Sequence, residues 1–146
     1  VTWGSRGCGG DSSAVQDQLR QVQHIQASHG AFAAIREDGF VVTWGDPLRG
    51  GDSRAVHGNL NNVQHIQASH CAFAAIRSDG SVVTWGPAGC GGDCSGVQAQ
   101  LTNVQHVQAT HAAFAAVLAD GRVVTWGDPL YGGDSAAVQE QLKDVQ

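Results

Sequence analysis

The sequence is poor in charged residues. Asp, Glu, Lys and Arg make up only 14% of the chain, against about 25% in typical globular proteins. The eight basic residues occur singly, and thirteen acidic residues give a net charge of −5. Binding to a phosphate backbone depends on clustered cations, so the composition argues against a nucleic acid partner. It also predicts a largely neutral surface, which suits stacking and assembly.

Long apolar runs and methionine are also missing. No stretch approaches the ~18 consecutive apolar residues of a membrane-spanning helix, so we expect no direct membrane insertion. The chain has no Met, and residues 1–4 fall inside a motif that recurs downstream. We therefore expect a piece of a longer array. The alternative is a complete domain that closes by pairing its two ends.

Four tryptophans define an internal repeat. Trp3, Trp44, Trp85 and Trp126 are each 41 residues from the next. A fixed period in the range of roughly 20–50 residues is typical of tandem-repeat proteins, whose units bury their apolar faces against one another. We predict a single repeat domain over residues 1–146, with whole units at 3–43, 44–84 and 85–125 and a partial unit at 126–146.

Each unit contains three segments with the composition of β-strands. In the first unit these are residues 22–28, 31–36 and 41–44, and the later units repeat them. An Asp-Gly pair, first seen at Asp38-Gly39, separates the second segment from the third and is a strong hairpin signal. A short turn at residues 28–30 joins the first segment to the second. The predicted fold is mainly β, with one three-stranded antiparallel meander per unit.

The predicted strands are apolar on both faces. In the second strand, Phe32 and Ala34 point one way while Ala33 and Ile35 point the other. Such sheets need cover on both sides, so we expect the units to stack, either like propeller blades or as an open arc. The residues expected to be structural are the tryptophans, the strand phenylalanines and the turn glycines: Trp3, Trp44, Trp85, Trp126, Phe32, Phe73, Phe114, Gly39, Gly80 and Gly121.

A linking stretch follows each Trp-Gly. It begins Gly-Gly-Asp and continues with Ala14, Val15 and Leu19 in the first copy. This pattern predicts an N-capped helix of one or two turns, with Val15, Leu19 and Val22 on its apolar side. A fourth strand is the alternative, because Gly58 and Gly96 interrupt two of the copies.

These motifs resemble a known repeat. The run from Ile25 to Gly39, the Val-Val-Thr-Trp-Gly that ends at Gly45, and the downstream Gly50 are similar to the repeat of the regulator of chromosome condensation, and the likeness covers all four units. The resemblance implies a β-propeller. The chain departs from that repeat by placing His29 in the turn, by placing Pro47 and Pro129 after two of the Trp-Gly pairs, and by its shortened 41-residue unit, which is similar to that of algal tandem-repeat proteins.

Two sets of histidines recur with the repeat. His24, His65 and His106 share a strand position, and His29, His70 and His111 share a turn position. Imidazole ladders of this kind suit a transition metal or a pH switch. Recurrence follows from duplication alone, however, so we predict no metal site and no cofactor.

The four cysteines leave two interpretations open. Cys90 and Cys94 lie close together in a glycine-rich loop and would form a disulfide in an oxidising compartment. Alternatively they are free thiols that take the places of Arg49 and Ser53 in the other units. Cys8 shares the repeat position of Cys90, and Cys71 stands alone in a turn. A zinc site prefers two short pairs, and the chain has only one.

No constellation for catalysis is evident. Asp11, Asp52, Asp93 and Asp134 lie in equivalent loops of different repeats and are better explained as helix caps. A Ser-His-Asp set can be assembled from Ser28, His29 and Asp38, but the sequence around it contains no nucleophile elbow and no oxyanion-hole motif. We therefore expect no enzyme activity and consider a small-molecule ligand unlikely on these grounds.

The composition and the repeats favour a non-catalytic scaffold that binds a protein partner or a large assembly. Two alternatives follow from the resemblance: a regulatory propeller of exchange-factor or ubiquitin-ligase type, and an accessory structural subunit of an organellar complex, a photosynthetic one included. Because the units are so alike, side chains that depart from the repeat are the expected partner contacts: Phe40, Leu48, Arg49, Arg54, His57, Leu130 and Tyr131.

Overall fold

The computed structural model describes residues 1–146 and contains nine β-strands in three antiparallel sheets. Each sheet is one meander with its strands in sequence order, and its third strand crosses the boundary between two of the predicted units. We define a repeat of the structure as one sheet together with the stretch that follows its third strand. The strands are β1 (Val22–Ala27), β2 (Ala31–Arg36), β3 (Val41–Gly45), β4 (Val63–Ala68), β5 (Phe73–Arg77), β6 (Val82–Trp85), β7 (Val104–Ala109), β8 (Ala113–Leu118) and β9 (Val123–Gly127). The predicted three-stranded meander is confirmed.

The Asp-Gly pairs form the hairpins between the second and third strands. Gly39 has a φ of 78°, a left-handed conformation that favours glycine, and Asp38 Oδ1 accepts a hydrogen bond of 3.2 Å from the Phe40 backbone N–H. The resulting register places Phe32 directly opposite Trp44. The hairpin therefore brings the strand phenylalanine and the tryptophan of the same sheet together.

The second strands of the first two sheets are buried on both faces. Ala33 and Ala34 are adjacent on β2 and point to opposite sides, and both are 0% exposed. Their counterparts Ala74 and Ala75 on β5 are also fully buried. Alanine leaves room for neighbouring sheets to approach closely, so successive repeats cover one another as the two-sided apolar pattern predicts.

A tryptophan, a phenylalanine and a glycine form the repeated contact between each hairpin and the linker before it. Trp85 stacks on Phe73 with ring centroids 5.2 Å apart, and its indole N–H donates a 3.0 Å hydrogen bond to the Gly50 carbonyl. A Cβ on Gly50 would lie 2.5 Å from the Phe73 ring, so glycine is required there. Trp44 and Trp126 make the same contacts with Gly9 and Gly91.

Trp3 does not show the packing of the other three tryptophans. Its side chain is 85% exposed. The other tryptophans stack on a phenylalanine twelve residues earlier in the same sheet, and Trp3 has no such ring to pack against.

The linking stretches are helical, as predicted, and none of them is a fourth strand. They form short 3₁₀ helices: Ser13–Gln18, Arg54–Asn59, Gln98–Gln100 and Ala136–Gln141. In three of them, Ser13–Gln18, Arg54–Asn59 and Ala136–Gln141, the aspartate two residues before the helix accepts a hydrogen bond from the first helical N–H. For example, Asp52 Oδ1 accepts from the Arg54 backbone N–H at 3.0 Å. A second set of 3₁₀ helices, which the sequence did not indicate, follows each Trp-Gly: Arg6–Cys8, Pro47–Arg49, Ala88–Cys90 and Pro129–Tyr131.

Successive sheets are joined by backbone hydrogen bonds at both ends. At one end the Val63 N–H donates to the Gly39 carbonyl at 2.9 Å. At the other end the His29 N–H donates to the His70 carbonyl, also at 2.9 Å. We call these the hairpin end and the turn end. The next pair of sheets repeats both bonds. None of the helices has the length and apolar character needed to cross a bilayer.

Candidate functional site

The turn end of the sheets carries the strongest candidate site. In a meander the first strand runs towards the same end at which the third strand finishes, so the turn after β1 and the 3₁₀ helix after β3 lie side by side. We call this surface the turn face. It consists of the turns at 28–30, 69–71 and 110–112 and of the helices Pro47–Arg49, Ala88–Cys90 and Pro129–Tyr131.

A hydroxyl group fixes each turn to its neighbouring helix. Ser28 Oγ donates a 2.7 Å hydrogen bond to the Arg49 carbonyl and accepts one of 3.1 Å from the Ala31 N–H. Ser69 and Thr110 make the equivalent bonds to the Cys90 and Tyr131 carbonyls, both at 2.7 Å. The backbone of the turn face is therefore the same in all three repeats, and its side chains are what differ.

Two positions of the turn face meet in every repeat and are filled differently each time. In the first repeat Gly30 faces Arg49, and a Cβ added to Gly30 would lie 2.6 Å from Arg49 Cδ. In the second repeat the same positions hold Cys71 and Cys90, which form a disulfide. The third repeat places Ala112 and Tyr131 there. The absence of a side chain at Gly30 thus makes room for the long Arg49 side chain.

The disulfide between Cys71 and Cys90 differs from both sequence interpretations, which paired Cys90 with Cys94 or left the two as free thiols. Cys94 occupies the position of Ser12 and Ser53, is 5% exposed, and its Sγ donates to Gln98 Oε1 at 3.1 Å. Its thiol points into the core, and burial raises its pKa. Cys90 faces the turn instead, where its Cα lies 5.8 Å from that of Cys71.

The turn histidines form a stacked column along this face. The ring centroids of His29 and His70 are 4.4 Å apart, and those of His70 and His111 are 4.3 Å apart. Tyr131 extends the column, with its ring centroid 5.2 Å from that of His111. Backbone bonds of 2.9 Å from each histidine N–H to the next histidine carbonyl hold the rings in line.

Arg49 places a positive charge beside this column. Its Nη1 lies 2.7 Å from His70 Nε2, and its Nε lies 3.4 Å from a carboxylate oxygen of Asp46. The pKa of His70 is lowered from its ordinary value, first by burial and then by the neighbouring His111, His29 and Arg49. Both effects favour the neutral form of His70, whose Nε2 accepts the Arg49 N–H.

Large apolar side chains project from the 3₁₀ helices of the turn face. Leu48 is 76% exposed, Leu130 is 91% exposed and Tyr131 is 45% exposed. Asp46 and Asp128 fix the first and third of these helices, since each carboxylate accepts from the backbone N–H of the leucine two residues later. Exposed apolar groups on a rigid frame are typical of protein contact surfaces.

The structure brings four of the seven expected partner contacts together on this face: Leu48, Arg49, Leu130 and Tyr131. The other three lie elsewhere. Phe40 is at the hairpin end and 45% exposed, while Arg54 and His57 lie on the linking helix Arg54–Asn59, where Arg54 pairs with Asp52 at 2.6 Å. The recurrence of His29, His70 and His111 indicated an imidazole ladder, and the structure shows that these rings stack.

Comparison with known proteins identifies the architecture. The structure superimposes on human WBSCR16 with a TM-score of 0.54 and on yeast RCC1 (Prp20), in its complex with Kap60, with the same score. A second structure of Prp20 from Saccharomyces cerevisiae gives 0.51. The fold is that of RCC1-type β-propeller repeats. Identity is 16% in each case, over 73% of this chain.

The likeness to RCC1-type proteins concerns the fold, and it spans only part of each of them. The matched region covers 33% of WBSCR16 and 29% or 30% of Prp20 in its two structures. A scan against family models and a search of curated proteins found no match. The function therefore has to be argued from the site itself.

The structure has no evident metal-binding site. No group of three or more His, Cys, Asp or Glu side chains converges in a way that would hold an ion. His24, His65 and His106 are exposed on β1, β4 and β7 and line shallow grooves between neighbouring strands. They are placed as a solvent-facing row rather than as a stack.

Proposed function

We propose that the chain is a non-catalytic scaffold that binds another protein through its turn face. The observation that carries the proposal is the placement of Leu48, Leu130 and Tyr131, which are exposed at the same end of the repeats. Leaving such side chains in water forgoes burial worth about 1.5–3 kcal/mol each. A partner surface that covers them would recover this free energy.

The chemistry of the face supports a protein partner. Tyr and Arg are enriched among the side chains that dominate binding energies, and Tyr131 and Arg49 both lie here. The backbone beneath them is held by the Ser28, Ser69 and Thr110 hydrogen bonds, so little ordering is required on binding. The yeast protein of the same fold is bound to Kap60 in one of its structures, which supports this use of the fold.

Affinity capture with matched variants tests the proposal. The purified chain is immobilised and exposed to extract from its source cells, alongside the double variant Leu48→Ser/Leu130→Ser. Both leucines are more than three-quarters exposed, so the substitutions should leave the fold unchanged. We expect the double variant to lose its specific partners, because the apolar contact is gone.

The control is Phe40→Ser, which removes an exposed apolar side chain at the hairpin end. It should retain the same partners as the unchanged chain. Full retention by the double variant, or equal loss by Phe40→Ser, would show that the turn face is not the docking surface.

A regulatory module of exchange-factor type is the second candidate. The fold shared with Prp20, a protein studied for its binding to Gsp1p and histones, favours it. The test is the release of labelled nucleotide from purified small GTPases in the presence of the chain. A release rate that does not change with chain concentration would eliminate this candidate and leave the scaffold proposal standing.

A further inference from the structure

The histidine column joins all three sheets at their turn end. His29, His70 and His111 stack at 4.3–4.4 Å, and each sheet-to-sheet backbone bond at this end starts from one of these residues. Bonds from Val63 and Val104 join the sheets at the opposite end. Any change that pushes the rings apart would therefore weaken the contact between successive sheets at the turn end and leave the hairpin end in place.

Protonation is such a change. A neutral imidazole carries one N–H and one acceptor nitrogen, whereas the protonated ring carries two donors and a positive charge. Protonated rings stacked at about 4 Å repel one another. Protonation of His70 also removes the acceptor that Arg49 Nη1 uses at 2.7 Å.

His29, His111 and Arg49 all lower the pKa of His70. His29 faces it from the turn after β1, His111 faces it from the turn after β7, and Arg49 faces it from the helix Pro47–Arg49. The nearby carboxylate of Asp46 is engaged with Arg49. None of the eight ion pairs in the chain involves a histidine, so no anion compensates a charged column.

We propose that the column of His29, His70 and His111 is an acid-sensitive contact between successive repeats, which holds the turn end closed at neutral pH and loosens it when the rings are protonated. The proposal concerns the junctions between sheets and goes beyond partner docking. It holds or fails whether or not the turn face binds a protein.

The expected direction follows from the surroundings of His70. Burial and neighbouring cations lower the pKa of His70 below its ordinary 6.5. As the pH falls below 6.5, the unfolded chain therefore takes up this proton before the folded chain does. The contribution of the neutral His70 ring to the free energy of unfolding is complete above about pH 6.5 and declines below it. Asp11 and Asp52, with pKa values of about 2, titrate outside this window.

Thermal unfolding at two pH values tests the proposal. Circular dichroism gives the Tm at about pH 7.5 and about pH 5.5, on either side of the ordinary imidazole pKa. The variants are His70→Phe, which keeps an aromatic ring that cannot be protonated, and His65→Gln, a control at an exposed strand histidine. We expect the unchanged chain and His65→Gln to lose Tm in acid, and His70→Phe to lose clearly less. An equal loss in all three chains would overturn the proposal.

Hydrogen exchange on the unchanged chain gives a test that does not depend on whether a variant folds. The protection factors of the His29 and His70 amides, which donate across the column, should fall between the two pH values. Those of the Val63 and Val104 amides at the hairpin end should change less. Equal changes at both ends, or none at the turn end, would also overturn the proposal.

Discussion

The stability of the fold should depend on the buried tryptophans and not on the exposed one. Trp85 is 4% exposed, stacks on Phe73 at 5.2 Å and donates a hydrogen bond to the Gly50 carbonyl. Replacing a buried aromatic residue by alanine costs about 3–5 kcal/mol, which is a large share of the ~5–15 kcal/mol that stabilises a typical protein. For a chain of this size we expect Trp85→Ala to lower the Tm by about 6–20 °C.

Trp3→Ala provides the matched control, because Trp3 lies at the equivalent repeat position but is 85% exposed. Its substitution should change the free energy of unfolding by no more than about 0.5 kcal/mol. Both variants are measured by denaturant unfolding followed by circular dichroism. Equal losses of stability in the two variants, or a near-neutral Trp85→Ala, would refute the account of how the repeats pack.

Two further predictions concern single positions with matched controls. Gly80→Ala should destabilise the chain by about 1–3 kcal/mol, since Gly80 has a φ of 76° and a Cβ there would lie 2.8 Å from Asn103 Cα. Gly96→Ala has open space around it and should be neutral or slightly stabilising in the same thermal assay; similar losses in both variants would contradict this reasoning. Cys71→Ser should cost about 3 kcal/mol under oxidising conditions by opening the link to Cys90, and the difference from the unchanged chain should vanish in reductant. Cys94→Ser should be much milder, because serine fills that position in the other repeats, and a large loss would show that the buried thiol has a role of its own.

The local structure of each repeat was predictable because local chemistry determines it. Asp38-Gly39 specifies the hairpin through the left-handed conformation of the glycine, and the alternation of apolar side chains specifies both faces of β2. The predicted meander and its strand positions agree with the structure for these reasons. The linking helix was also predicted, although its 3₁₀ form was not.

The contacts of the turn face could not be predicted from local patterns. Cys71 and Cys90 are separated by 19 residues and meet only because the turn after β4 and the helix after β6 lie side by side. The recurrence of His29 at His70 and His111 indicated an imidazole ladder, but the contact of Arg49 Nη1 with His70 Nε2 depends on how the turn and the following helix pack.

The central claim is that a protein partner docks on the turn face. Hydrogen–deuterium exchange, measured on the chain alone and with a partner recovered by affinity capture, tests it most directly. We predict new protection at residues 28–30, 46–50, 110–112 and 128–132, with little change at the Asp-Gly hairpins or the linking helices. Protection confined to the hairpin end or to Arg54–Asn59 would contradict the claim.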